Sequence, residues 1–168
     1  MLKHRRLVLA AATAIAVTGT AAGVTAASAS PRTDQAVGRT EYVQIMSAST
    51  APGPAGAIAR GAFAAAGRAD LGDARVGTIV FPGGTIVLNH QAGHGSSQFD
   101  PRACLSVISQ AGTYQIAGGT GSYAGIRGHG TYQLSLEIVA ARSHGKCSST
   151  RPPVAQQELL RLSGPVRL

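Results

Sequence analysis

The stretch GTYQIAGGTGSYAGIRGHGTYQLSLEIV, Gly112 to Val139, decides the fold. The tetrad GTYQ occurs in it twice, at Gly112–Gln115 and Gly130–Gln133, on either side of a glycine-rich connection. From Ile126 to Ile138 every even position is apolar or glycine and every odd position is polar. An alternation with period two over this length predicts a long strand with one buried face. The stretch therefore predicts two antiparallel strands joined by a glycine loop.

Working outward, glycine and proline punctuation divides the rest of the chain into further strand candidates without a helix. The predicted strands are Glu41–Ser47, Ala57–Ala66, a hairpin over Arg75–His90 around Pro82-Gly83-Gly84, Cys104–Gln110, Thr113–Ala117 and Gln156–Leu162. Gln91–Pro101 and Ala141–Pro153 are predicted loops. Seven or eight strands of this kind indicate an all-β fold, a single antiparallel barrel or a sandwich.

The amino terminus has the three parts of a secretory signal peptide. Lys3, Arg5 and Arg6 form a positive segment, Leu7–Val17 an apolar core and Ala27-Ser28-Ala29 a small-residue cleavage site. The alternative is an uncleaved membrane anchor, because no charged residue falls between Leu7 and Pro31. Threonine, glycine and serine do interrupt it, and the dense apolar part is short for a membrane span.

We therefore predict a signal peptide over residues 1–29, a flexible leader over residues 30–40 and a single β-barrel domain over residues 41–168. Cleavage near Ala29 makes the protein secreted, with no stable membrane insertion. The mature chain then keeps 12 basic and 7 acidic residues, a balance of +5. These arginines are scattered and lack the interleaved aromatic residues of a nucleic-acid surface, so the composition argues against a nucleic-acid partner. The excess of arginine over lysine, with abundant alanine and glycine, is typical of a GC-rich bacterial genome.

Two cysteines remain in the mature chain, Cys104 and Cys147. Export places them in an oxidising compartment, where a disulfide is the expected outcome. A metal or nucleophilic role for Cys147 with His144 is the alternative, but a zinc spacing is missing. His90 and His94, four residues apart, lie in predicted strand-end and loop positions. We therefore predict no metal site and no cofactor.

The segment IAGGTGSYAGIRGHG, Ile116 to Gly130, resembles the family of allene oxide cyclases and dirigent proteins. Dirigent proteins carry GGTG, then one residue, an aromatic residue and shortly afterwards an Arg-Gly pair; allene oxide cyclases carry a similar GGSG, followed by an aromatic residue and a glycine. The matching positions here are Gly118, Gly119, Thr120, Gly121, Tyr123, Gly125, Arg127 and Gly128. The resemblance covers about fifteen residues and implies a calycin-like, eight-stranded antiparallel barrel. We interpret these motif positions as architectural, since consecutive glycines permit a narrow turn with positive φ.

The resemblance also implies a function. It leads us to expect binding of a small, mostly apolar ligand in the barrel mouth, with templating of a cyclisation or coupling as the possible activity. It implies association into homo-oligomers as well. The competing hypothesis is a non-enzymatic secreted module that binds a cell-surface polymer or another protein through its outer face. The catalytic residues of the plant enzymes lie outside the matched segment and are not transferred, so whether the chain is an enzyme stays open.

The polar face of the long predicted strand carries Arg127, His129 and Glu137. A barrel can turn such a face to solvent or into a polar lumen, and the apolar even positions favour solvent. Were the lumen polar, Arg127 and His129 would be the candidate catalytic residues, since they could orient a substrate or move a proton. On the opposite face, Gly128 and Gly130 either permit strong strand curvature or leave room for a ligand.

Overall fold

The computed structural model describes residues 38–50, 53–71 and 75–168. Eight strands form a closed antiparallel barrel in the order β1-β10-β7-β6-β5-β4-β3-β2, and two further strands form a small separate hairpin, β8-β9. The strands are β1 Arg39–Ser47, β2 Ala55–Arg60, β3 Ala65–Asp70, β4 Val76–Phe81, β5 Gly84–Asp100, β6 Leu105–Gly119, β7 Arg127–Val139, β8 Arg142–Ser143, β9 Lys146–Cys147 and β10 Ala155–Arg167. The expected all-β, eight-stranded barrel is confirmed.

The predicted signal peptide and residues 30–37 of the predicted leader lie outside the described residues. The first barrel strand begins at Arg39, two residues before the predicted domain boundary. In the part of the chain that the structure describes, no helix is long and apolar enough to cross a membrane.

The two GTYQ tetrads lie directly opposite each other on β6 and β7, centred on the pair Thr113 and Thr131. This register places Gly112 opposite Tyr132 and Gly130 opposite Tyr114. A Cβ atom at Gly112 would lie 2.5 Å from the Tyr132 ring, and one at Gly130 would lie 2.8 Å from the Tyr114 ring. Each tyrosine therefore packs over the glycine of the other tetrad, which explains why the motif is doubled.

Close strand approach, and not room for a ligand, accounts for the glycines on the inner face of β7. A Cβ at Gly130 would also lie 2.1 Å from the carbonyl oxygen of Ser163, and one at Gly128 would lie 2.8 Å from that of Pro165. Both carbonyls belong to the neighbouring strand β10, so the backbones occupy the space that side chains would need. Of the two interpretations of these glycines, the structure supports curvature and packing.

The predicted single strand Ala57–Ala66 is wrong. The chain forms β2, turns over residues 61–64 and returns as β3. Gly61 has φ of +136°, a conformation that side chains rarely adopt, and a Cβ there would lie 2.1 Å from the carbonyl oxygen of Thr40. The glycine in the middle of the alanine-rich run therefore marks a reversal of chain direction.

The predicted loop Gln91–Pro101 is also wrong over most of its length, because β5 continues to Asp100 and pairs with β6. The register shifts between Ala92 and Gly95, which is the position of a β-bulge. Residues 91–100 are exposed on both faces. Their polarity reflects this two-sided contact with water and not the absence of a strand.

One end of the barrel is closed by aromatic packing. The ring centroids of Phe63 and Tyr123 are 5.1 Å apart, and Phe81 lies 5.7 Å from Phe63 and 5.9 Å from Tyr123. The glycine loop delivers Tyr123 to this cluster through a single 3-10 turn, Gly121–Tyr123. Ile126, which is fully buried, completes the closure.

The opposite end carries the predicted disulfide between Cys104 and Cys147. It joins the beginning of β6 to strand β9 in the segment that follows β7, and Cys104 is completely buried. The described residues therefore contain no free cysteine. The bond ties the connection between β7 and β10 to the barrel wall.

Substituting Gly130 with alanine is expected to lower the free energy of unfolding by about 1–3 kcal/mol, the usual cost of overpacking. The new methyl group would collide with the Ser163 carbonyl and the Tyr114 ring. Gly118→Ala is the matched control, because a Cβ there meets no atom within 4 Å, and it should change stability by less than about 0.5 kcal/mol. Urea unfolding followed by circular dichroism measures both, and equal effects would contradict the packing argument.

Replacing both cysteines with serine is expected to cost about 4 kcal/mol, since the bond closes a loop with a sequence separation of 43 residues. Urea unfolding of the double variant, and of the wild type with and without a reducing agent, tests this. The reducing agent should act on the wild type alone. An unfolding midpoint that is the same for variant and wild type would refute the estimate.

Candidate active or binding site

The lumen of the barrel is filled in its closed half and hollow in its open half. The hollow is a cavity of about 120 Å³, and five of its ten lining residues are leucine. Its lining residues are Leu71, Gly77, Leu88, His90, Gln110, Tyr132, Leu134, Glu158, Leu160 and Leu162. We call this space the upper cavity.

The upper cavity leads to the open end of the barrel. A solvent-open hollow of about 650 Å³ lies there, between the ends of β1, β2, β3 and β10. Leu71 and Glu158 line both spaces, so they stand where the upper cavity meets this mouth. The upper cavity therefore lies on the side of the mouth, away from the aromatic closure.

Strand alternation explains which side chains reach the upper cavity. On β10, Glu158, Leu160 and Leu162 share a face, because residues two apart on a strand point the same way. All three line the cavity, whereas Arg161 between them is exposed on the outside. Glu158 is therefore an inward-facing carboxylate in a row of leucines.

The polar side of the upper cavity centres on Tyr132. Its hydroxyl donates a hydrogen bond to Gln110 Oε1 at 3.2 Å. The His90 ring meets the Tyr132 ring edge to face, with centroids 5.9 Å apart and planes at 85°. Burial raises the pKa of Tyr132, so this phenol stays protonated and remains a donor to Gln110. The polar atoms of Tyr132, Gln110 and His90 therefore line one side of the upper cavity, beside its leucine side chains.

Glu41 is the acid held deepest in the barrel, with 2% of its surface exposed. Its Oε2 accepts a hydrogen bond from the backbone N–H of Phe63 at 3.1 Å. Its Oε1 is buried and has no hydrogen-bond partner among the described residues. Burial raises the pKa of this carboxyl above its ordinary value, and backbone hydrogen bonding at Phe63 and neighbouring residues opposes that rise only in part.

A void of about 20 Å³ lies beside Glu41, with enough space for one water molecule. Tyr114 lines the same void, and burial together with the nearby Glu41 charge raises its pKa to about 12. Leu88 and Leu162 line both this void and the upper cavity. These two leucines therefore form the partition between the deep acid and the ligand-sized space.

Neither Glu41 nor Glu158 was among the site residues predicted from sequence. The signal was present in the alternation: Glu41 is in phase with Val43 and Ile45, and Glu158 with Leu160 and Leu162. A charged residue at the apolar phase of a strand faces the interior. In β1 this phase is hard to recognise, because Tyr42 and Met46 make the opposite phase of the strand equally apolar.

Arg127 and His129 lie on the outer face of β7, and both are exposed. Arg127 Nη1 donates a hydrogen bond to the carbonyl oxygen of Ile126 at 2.8 Å. Neither residue lines the upper cavity, the void beside Glu41 or the mouth. Arg127 and His129 were candidate catalytic residues only if this face of the strand lined a polar lumen. The face lies on the outside of the barrel instead.

The motif residues from Gly118 to Gly128 lie at the closed end, away from the mouth. Thr120 Oγ1 accepts a hydrogen bond from the backbone N–H of Thr85 at 3.1 Å, and the Ser122 N–H donates to the carbonyl of Gly83 at 2.8 Å. Gly121 and Gly125 have φ of +59° and +86°. These contacts anchor the loop to the turn between β4 and β5, so the motif closes the barrel floor.

The described residues contain no group of three histidine, cysteine, aspartate or glutamate side chains able to hold a metal ion. His90 faces the upper cavity, whereas His94 is exposed on the outer half of β5. The two histidines do not form a pair, because His94 lies within the irregular segment between Ala92 and Gly95, outside the upper cavity.

The fold and its cavity define the chain as a closed, eight-stranded antiparallel barrel with an interior that is hollow at one end. No protein-family model matches the chain, and neither a curated protein nor a solved structure matches it significantly.

Glu41→Gln is expected to alter the pH dependence of stability. An acid whose folded-state pKa is raised stabilises the fold below its unfolded-state pKa, and that contribution is lost as the pH rises. The wild type should therefore lose stability relative to Glu41→Gln as the pH rises above 4.5, the ordinary value for this carboxyl. Urea unfolding from about pH 4 to pH 8 measures the difference.

The exposed Glu137 provides the control, since Glu137→Gln should follow the wild-type curve. A stability difference between Glu41→Gln and the wild type that stays constant with pH, or grows in the opposite direction, would show that burial does not control this acid.

Proposed function

We propose that this barrel binds a small, largely apolar molecule in the upper cavity, which it reaches through the mouth. The observation that carries the proposal is the combination of a leucine-lined floor with a polar wall in a space open at one end. Ligand sites in proteins have this composition: apolar surface for affinity and a few polar groups for orientation.

The volume limits the ligand. Drug-sized molecules occupy pockets of about 300–1,000 Å³, whereas a dry apolar cavity of about 150 Å³ binds benzene. At about 120 Å³ the upper cavity suits one ring or a short branched chain. A longer molecule would have to extend past Leu71 and Glu158 into the mouth.

We propose further that the chain is related to the allene oxide cyclases and dirigent proteins, as the GGTG segment indicates, and that its cavity acts by holding one conformer of its ligand. Confinement of this kind favours a cyclisation or coupling without strong acid–base chemistry. Where a proton must move, His90 and Glu158 are the cavity residues able to take part. Arg127 has no part in this scheme because it faces outward.

Secretion belongs to the same proposal. A disulfide forms and persists in oxidising compartments, and the barrel has one between its two described cysteines. The signal-like amino terminus would direct the chain there.

A second candidate function is binding through the outer wall. Tyr42 and Met46 on β1 and Ile58 on the adjacent strand β2 are exposed apolar residues there, and Val80 is a fourth on β4, which β3 separates from β2. Ile58 pairs with Gln44, between Tyr42 and Met46, so three of the four are cross-strand neighbours. In this alternative, a protein or polymer partner, or a second copy of the chain, would bury this surface. The function would then not require a ligand in the lumen.

The ligand proposal is tested with 2-phenylethanol, a neutral one-ring probe, in an NMR titration of leucine methyl groups. We expect saturable shifts at the lumen leucines and a Kd of about 1 mM or tighter. Leu134→Phe, which fills the cavity, should abolish binding. Ile58→Phe, a comparable enlargement on the outer wall, should leave it unchanged.

Absence of saturable binding to the wild type, both of 2-phenylethanol and of one-ring probes of similar size that carry a charge, would overturn the ligand proposal and favour the outer-wall function. Binding that survives Leu134→Phe but is lost in Ile58→Phe would place the probe on the outer wall instead of in the lumen. Circular dichroism and thermal unfolding of both variants establish that each is folded before the titration is interpreted.

A further inference from the structure

We infer that the lumen selects small organic cations, in particular a primary amine carried on a ring or short apolar chain, over neutral molecules and over anions. This inference rests on the proposed ligand-binding function and specifies the chemistry of the ligand. Its basis is the separation of charge between the two sides of the barrel wall.

The arginines of the barrel strands are outside. Every one of them is exposed, at positions that alternate with lumen-facing residues: Arg39, Arg60, Arg68, Arg127, Arg161 and Arg167. Among the described residues that line the upper cavity, the deep void and the mouth, none is an arginine or lysine. The chain is basic overall, yet none of its described arginines and lysines lines the upper cavity, where His90 is the one basic side chain among the described lining residues.

Two of the five described acids, Glu41 and Glu158, are inside, whereas Asp70, Asp100 and Glu137 are exposed. Glu158 stands where the upper cavity meets the mouth, and Glu41 lies below the leucine partition. Glu158 has no ion-pair partner within the described part of the chain. Apolar walls lower the effective dielectric constant, so this carboxylate attracts a ligand cation, and repels an anion, more strongly than it would in water.

The hydrogen-bonding groups of the upper cavity support the same selection. A carboxylate only accepts hydrogen bonds, and the Tyr132 oxygen keeps its acceptor lone pairs while its hydroxyl donates to Gln110. A primary ammonium group supplies three donors. An apolar ring carrying an ammonium group would therefore place its ring against the leucines and its head beside Glu158 and Tyr132.

The deep acid adds to this selection when it is ionised. Glu41 Oε1 is a buried oxygen without a partner among the described residues, and Leu88 and Leu162 line both its void and the upper cavity. Burial raises the pKa of Glu41, so its negative potential reaches the upper cavity only where the pH is high enough to ionise it. An anionic ligand would then meet like charge below the floor as well as at the entrance.

The test compares three probes of similar size and different charge: 2-phenylethylamine, 2-phenylethanol and 3-phenylpropanoate. Each is titrated at neutral pH into the full-length mature protein, and Kd is taken from the methyl shifts of the lumen leucines. We expect the amine to bind about tenfold more tightly than the alcohol, and the carboxylate to bind most weakly.

Glu158→Gln should bring the amine and the alcohol to similar affinity, and Glu158→Lys should reverse the order and favour the carboxylate. Glu137→Gln is the matched control, because it removes the same charge from the outer face of β7 near the same end of the barrel. It should leave the preference for the amine unchanged.

The outcomes separate this inference from the function on which it rests. If the alcohol binds and the amine binds no more tightly, cation selection is wrong and the ligand proposal stands. If none of the three probes binds, the ligand proposal itself fails. A preference for the amine that persists in both folded Glu158 variants would refute the role assigned to Glu158.

Discussion

The reciprocal packing of two tyrosines over two glycines on β6 and β7 is the constraint on which the lumen depends. Because Gly112 faces Tyr132 and Gly130 faces Tyr114, each ring can lie flat across the neighbouring strand. A larger residue at either glycine would force the ring into the lumen or the strands apart. Glycine opposite an aromatic residue is a known device for combining strong sheet curvature with a filled interior.

The same pairing divides the lumen into its two halves. Tyr114 lies on the side of the closed floor and packs into the void beside Glu41. Tyr132, two residues from Gly130, lies on the side of the mouth and forms the polar wall with Gln110 and His90. One short repeated motif therefore supplies a structural tyrosine to the core and a second tyrosine to the lining of the upper cavity.

Period-two alternation was sufficient to predict much of the fold. It gave the long strand ending near Ile138 and its solvent-facing polar side, and the turn at Pro82-Gly83 was recognisable from residue type alone. It failed at Ala57–Ala66, because alanine is found at both the inward and the outward positions of a strand. Only Gly61 indicates that the chain reverses direction there. It failed again at residues 91–100, since a strand exposed on both faces has the composition of a loop.

The candidate site was harder to predict for a related reason. The glycine motif has the most unusual composition in the chain, but it closes the floor of the barrel, far from the mouth. Glu41 and Glu158 occupy ordinary-looking positions and become notable only because the barrel closes around them.

The sequence by itself determined the strand-rich class, the doubled GTYQ pattern and the two cysteines available for a bond, because these follow from local periodicity and residue chemistry. Only the tertiary structure decided that Glu41 and Glu158 share one lumen whose described lining residues include no arginine or lysine, and that half of the lumen is hollow. Those properties depend on closure of the sheet, which brings residues distant in sequence onto one concave surface and assigns an inside to each alternating strand.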